Sequence, residues 1–147
     1  MPKQLSPRMQ QEQPSTELVK KVFVYGTLKS GGTVRGLDLY GEHSSIVGKA
    51  KTKYPDYTMI DLGAFPGVVL NGTDYIQGEV WEVSQALADE IDGIEGYPDF
   101  YNKAQTETSL GKAWMYFLEG PEYTKLADKI ATQSITTTDN TSVWKNS

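Results

Sequence analysis

Between residues 20 and 131 the chain is cut into short β-branched and aromatic runs, each stopped by glycine or a polar cluster. That punctuation rules out a helical bundle and a long repeat, and it sets a sheet as the framework. Lys20–Tyr25 is an apolar run that halts at Gly26, as a buried strand does. Residues 44–54 and 57–62 read as two more strands, the first interrupted by Gly48. Residues 67–83 read as a hairpin, because Asn71-Gly72 supplies the positive φ angles of a tight reversal. Residues 101–110 and 112–120 read as a second hairpin around Gly111. Helical spacing is confined to two places: residues 84–95, with Ser84 as N-cap, and residues 121–130, with Pro121 near N1. Mostly antiparallel strands with two or three helices make an α+β domain, built on a small closed or nearly closed sheet.

A chain of 147 residues suits one domain. Residues 1–19, rich in Gln and Pro, read as a flexible leader; 20–131 form the body; 132–147, dominated by Thr, Ser and Asn, read as a loose tail that Trp144 docks. The net charge of −5 gives no footprint for nucleic acid or an anionic membrane surface. No run of about 18 apolar residues occurs, and the first residues lack a secretory apolar core. The expected compartment is the cytoplasm.

The chain has no cysteine and a single histidine. Thiol nucleophiles, disulfides and cysteine-based zinc sites are excluded. A serine triad would need His43, which reads as a surface residue, and no G-x-S-x-G elbow accompanies it. Chemistry must therefore rest on carboxylates, hydroxyls, lysines or backbone amides.

One acid stands out. With Ile91 at zero on a helical wheel, Leu87 falls at about −40°, Ile94 at about −60° and Glu95 at about +40°. Asp89, Glu90 and Asp92 fall outside that arc. A carboxylate buried there without a partner is costly or has its pKa raised, which suits proton shuttling. Gly93 leaves the opposite reading open, a helix that ends early with Glu95 solvated or paired to a lysine. Tyr97 and Pro98 favour a fixed turn that holds the carboxylate still.

The loop after the first strand, Gly26-Thr27-Leu28, is the second candidate. Successive backbone N–H groups in such a loop bind carboxylates, phosphates or an oxyanion; an ordinary strand-to-turn junction explains it too. The phosphate-loop pattern fits Gly26, Gly31 and Thr33, but Gly32 stands where its lysine belongs, so nucleotide hydrolysis is set aside. Glu79 fits a solvated strand face or a site, and Tyr101 fits a core or a site.

Taken together, "VFVYGTLK" and "LADEIDGIEGYPDFYNK", with "AFPGVVL" and "IQGEVWEV" between them, resemble the gamma-glutamylcyclotransferase-like family over roughly residues 21–118. The likeness is closer to its gamma-glutamylamine cyclotransferase branch. It implies a β-barrel-like sheet with flanking helices and release of 5-oxoproline from a small gamma-glutamyl substrate without metal or cofactor. It also implies that Tyr25, Gly26, Thr27 and Leu28 hold the glutamyl part, that Glu95, following Asp92, is the catalytic acid/base, and that Tyr101 belongs to the site. Lys103 stands where the family pattern has arginine, and lysine offers no planar bidentate contact. Three other readings stay open: a non-catalytic binding module, an enzyme of this fold acting on another amide or amine, and a partner-binding protein using the leader or tail. The residues leave the amine leaving group and the oligomeric state undetermined.

Overall fold

The computed structural model describes residues 15–31, 36–126 and 134–145. The first strand, β1 (Leu18–Val24), alternates faces: Val22 and Val24 pack on one side, Phe23 on the other. It starts inside the stretch expected to be a leader; residues 1–14 lie outside the described residues. A 3₁₀ segment, Leu37–His43, follows and buries Leu37 and Tyr40; no period in the sequence announced it.

The remaining strands are β2 (Ser44–Lys51), β3 (Tyr57–Asp61), β4 (Pro66–Leu70), β5 (Tyr75–Ser84), β6 (Asn102–Thr108), β7 (Gly111–Phe117), β8 (Ile135–Thr138) and β9 (Thr141–Trp144). The helices are α1 (Gln85–Glu95) and α2 (Pro121–Leu126); residues 127–130 of the expected last helix lie outside the described residues. Among the described residues no helix is long and apolar enough to cross a membrane.

β5 is the spine. It pairs antiparallel with β1 on one edge and with β2 on the other. β1 meets β7 in parallel, and β7 carries β6 antiparallel, giving the order β6-β7-β1-β5. The sheet curls until its sides meet: Thr52 bridges Thr108, Lys53 N–H donates to the Glu107 carbonyl at 2.8 Å, and Ser109 N–H to the Lys51 carbonyl at 2.9 Å. The result is the expected α+β architecture, a curled, mostly antiparallel sheet with flanking helices. Gly111, at φ 101°, turns β6 into β7, so the expected second hairpin forms.

The expected first hairpin does not. Asn71 has the positive φ of a turn, 65°, but β4 pairs with β3 and not with β5. The turn folds the chain across the start of β3, where Gly72 N–H donates to the Asp56 carbonyl at 3.0 Å. A Cβ on Gly72 would lie 2.3 Å from the Tyr57 carbonyl carbon, so that close crossing needs glycine. Leu118 N–H donates to the Val68 carbonyl at 2.8 Å and ties this second, two-stranded sheet to the end of β7.

The polar stretch expected to hang loose also folds. β8 and β9 form a hairpin, and β9 runs parallel to the start of β5 through Tyr75↔Thr141 and Ile76↔Ser142. Asp139 and Asn140, at φ 51° and 60°, form its two-residue turn. Threonine is polar yet β-branched, so composition signalled disorder where strand preference prevailed. Trp144 docks as expected, 5% exposed beside the Phe23 and Tyr25 cluster.

α1 forms as its sequence dictates. The Ser84 hydroxyl accepts the Leu87 N–H at 3.1 Å, Leu87 and Ile91 are fully buried, and Gly96 closes the helix in the left-handed conformation at φ 67°. Gly93 does not end it. His43 is half-buried rather than on the surface, its Nδ1 2.7 Å from the Ser84 hydroxyl.

Candidate active site

Because α1 runs unbroken through Gly93, Glu95 keeps its helical direction and faces the end of β1. There a cavity of about 210 Å³ opens, lined by Tyr25, Gly26, Thr27, Leu28, Glu95 and Tyr101 together. The loop, the acid and Tyr101 thus border one space, although nearly seventy positions separate the loop from the acid; Glu79, also weighed as a site residue, does not reach it. Ile94, Phe65, Pro66, Phe100 and Tyr116 complete most of the wall. Sequence reading missed these five. Only the density of aromatics around Glu95 hinted at Phe100, and nothing local linked Tyr116 or the 65–66 corner to the acid.

The tyrosines are structural walls with their protons committed. Tyr25 donates its hydroxyl to the Tyr116 carbonyl at 2.8 Å, and Tyr101 donates to the Pro66 carbonyl at 2.6 Å. Burial holds the Tyr25 phenol well above its ordinary pKa, with the charges of Tyr101 and Glu95 adding to it. Tyr116 is pushed up by burial, then by its hydrogen bond to Asp92 and the charges of Asp92, Glu95 and Tyr97. The Glu95 carboxylate therefore makes itself felt at both phenols. Gly26 is required by proximity: a Cβ there would lie 2.8 Å from the Pro66 ring.

Asp92 does not line the cavity; it braces the helix end that carries Glu95. Its carboxylate accepts the Tyr116 hydroxyl and both oxygens lie 2.9 Å from Lys103 Nζ. Lys103 also sits over the rings of Tyr97 at 4.5 Å and Trp114 at 5.4 Å. Lys103 thus reaches both carboxylate oxygens from one ammonium. Tyr97 stacks on that lysine instead of entering the cavity. The Tyr97–Pro98 peptide bond is cis.

The loop makes a tight turn in which Lys29 N–H donates to the Gly26 carbonyl at 3.1 Å, and the Leu28 carbonyl accepts the Leu37 N–H at 2.9 Å. Among the described residues, no hydrogen-bond acceptor is found for the Thr27 and Leu28 N–H groups. Gly32 and Thr33, weighed above as part of a phosphate loop, lie outside the described residues. Glu79 is neither solvated nor at the cavity: it is buried and bonded to Ser30. No group of three or more Asp, Glu or His side chains among the described residues is placed to hold a metal ion.

A curled sheet with a glycine loop facing a helix-borne glutamate defines a class of small-molecule site, and known proteins share the frame. An AIG2-like protein from Mus musculus superposes with a TM-score of 0.66, over 80% of this chain and 90% of that one, at 22% identity. Residues 22–137 match the gamma-glutamyl cyclotransferase, AIG2-like family. A Vibrio cholerae protein provisionally named a gamma-glutamylcyclotransferase is 39% identical over 98 residues, 67% of this chain and 81% of that protein. YtfP of Escherichia coli K12, named a gamma-glutamylcyclotransferase family protein, is 31% identical over 106 residues, 69% of this chain and 84% of its own. The chain belongs to the gamma-glutamyl cyclotransferase, AIG2-like family.

Proposed function

We propose that the protein releases 5-oxoproline from a gamma-glutamyl amine or amide by intramolecular attack, with Glu95 as general acid/base. One observation carries this reading: Glu95 and the Gly26-Thr27-Leu28 loop border the same cavity. The substrate's glutamyl part lies against the loop amides, with Tyr25 and Tyr101 as walls. Glu95 takes a proton from the α-ammonium, and the freed amine attacks the γ-carbonyl carbon. Both groups sit on one glutamyl unit, so holding it in a folded conformer supplies much of the acceleration. The loop N–H groups stabilise the developing oxyanion. As the tetrahedral species collapses, the bond to the leaving nitrogen breaks. The two protons lost by the α-nitrogen end on the departing amine, relayed through Glu95. The chemistry needs no thiol or imidazole, in keeping with the composition. The cytoplasm is kept as the proposed compartment.

The test is a panel of gamma-glutamyl amines, dipeptides and related amides scored for 5-oxoproline, with wild type and Glu95→Gln side by side. Glu95→Gln is expected to lower kcat by about 10²-fold or more while the fold persists. Comparable release by the folded variant overturns the role of Glu95. Stabilisation by 5-oxoproline without any turnover would identify a binding module instead.

A further inference from the structure

Among the described residues Glu79 is the one buried acid, and the proposed reaction does not use it. It sits on β5, the strand paired on both edges, and is 6% exposed. Burying a carboxylate is costly unless its lone pairs are satisfied, and an apolar residue would serve packing better. Its bonds say what it is for. Oε1 accepts the Ser30 N–H at 2.7 Å and the Trp81 indole N–H at 3.1 Å, while Oε2 accepts the Ser30 hydroxyl at 2.6 Å. Ser30 lies two residues beyond Leu28, in a loop that has left the ladder of β1. A strand ladder does not hold this loop; the Glu79 carboxylate does. On its other side Lys29 donates to the Trp144 carbonyl at 2.6 Å, so the C-terminal hairpin pins the same turn.

We propose that Glu79 is a positioning residue: its carboxylate, mounted on the most constrained strand, sets the conformation of residues 26–31 and so the aim of the Thr27 and Leu28 N–H groups. This rests on the reading of that loop as the glutamyl cradle. Glu79 touches no reacting atom; it acts through Ser30.

The experiment compares wild type, Glu79→Ala, Glu79→Gln and Ser30→Ala by steady-state release of 5-oxoproline and by amide hydrogen exchange of the unliganded protein. Glu79→Ala is expected to raise KM about tenfold and to lower kcat as well, because the loop N–H groups lose their preorganisation toward both the bound glutamyl group and the oxyanion. Exchange at residues 27–30 should quicken about tenfold while β5 and β7 stay protected. Glu79→Gln restores most of the wild-type KM, since its Oε1 can accept both N–H groups and its Nε2 can donate to the Ser30 hydroxyl. Ser30→Ala, at an exposed position, removes one bond and should raise KM about threefold. A Glu79→Ala protein with a lower thermal midpoint but unchanged KM and loop exchange overturns the proposal. Should that variant not fold, unchanged KM and exchange in Ser30→Ala overturn it equally. A wild type that releases no 5-oxoproline sinks the proposed function instead, and loop exchange still decides whether Glu79 orders the turn.

Discussion

The brace behind Glu95 can be broken without touching the cavity. Asp92→Asn keeps the side chain's shape and an acceptor for Tyr116, but removes the charge 2.9 Å from Lys103. At such a separation the gross attraction is about 6 kcal/mol with an effective dielectric near 20. The side chains are only 25% and 23% exposed, so this is neither a fully solvated pair nor a dry one. A surface pair is worth about 0–1 kcal/mol and desolvation offsets a deeper one. The net coupling should therefore be about 1 kcal/mol, with a total loss of about 1–2 kcal/mol once the weakened Tyr116 bond is included. The assay is urea unfolding of wild type, Asp92→Asn, Lys103→Met and the double variant, closed as a cycle. Methionine keeps the stem of Lys103 between Tyr97 and Trp114 while removing its ammonium. Because Asp92 anchors the last turn of α1, kcat of Asp92→Asn should also fall about three- to tenfold through misplacement of Glu95. A coupling below about 0.3 kcal/mol with unchanged kcat would refute the brace and leave Asp92–Lys103 an ordinary surface pair.

Two further outcomes follow from the same geometry. Trp144→Ala removes a side chain buried against Phe23 and Tyr25 and should cost about 3 kcal/mol by urea unfolding; a cost under about 1 kcal/mol would mean the hairpin is a loose appendage. The phenols of Tyr25 and Tyr116 titrate higher in the folded protein than in the unfolded chain. Their contribution to stability is thus complete below the unfolded value of about 10 and is lost as pH rises above it. Thermal midpoints measured from pH 8 to 11 should fall at the alkaline end, and less steeply in Tyr25→Phe.

The strands of the body, α1 with its Ser84 cap, and the Gly111 hairpin were legible because local chemistry decides them: β-branched runs, a capping hydroxyl, a positive φ; β8 and β9, in the stretch read as a loose tail, were not. The direction of Glu95 was legible as well, since helical periodicity needs no tertiary knowledge. Glu79 shows the limit. Alternation along β5 puts it on one face with Gln77 and Trp81, but whether that face meets water depends on a loop some fifty residues earlier folding over it. The Asn71-Gly72 turn shows the same limit in the backbone. Sequence required a reversal there, and only the crossing of β3 decided that the partner strand would be β3 instead of β5.

By itself, then, the sequence determined an α+β sheet protein without thiol chemistry, with one acid on an apolar helical face and one glycine loop after a buried strand. Tertiary structure decided that these two meet across a cavity, that Asp92, Lys103 and Tyr116 steady one side of it, and that Glu79 holds the other. The reason is range: propensity and period act over a few residues, whereas the partner of a buried charge is set by which distant segment the curl of the sheet brings against it.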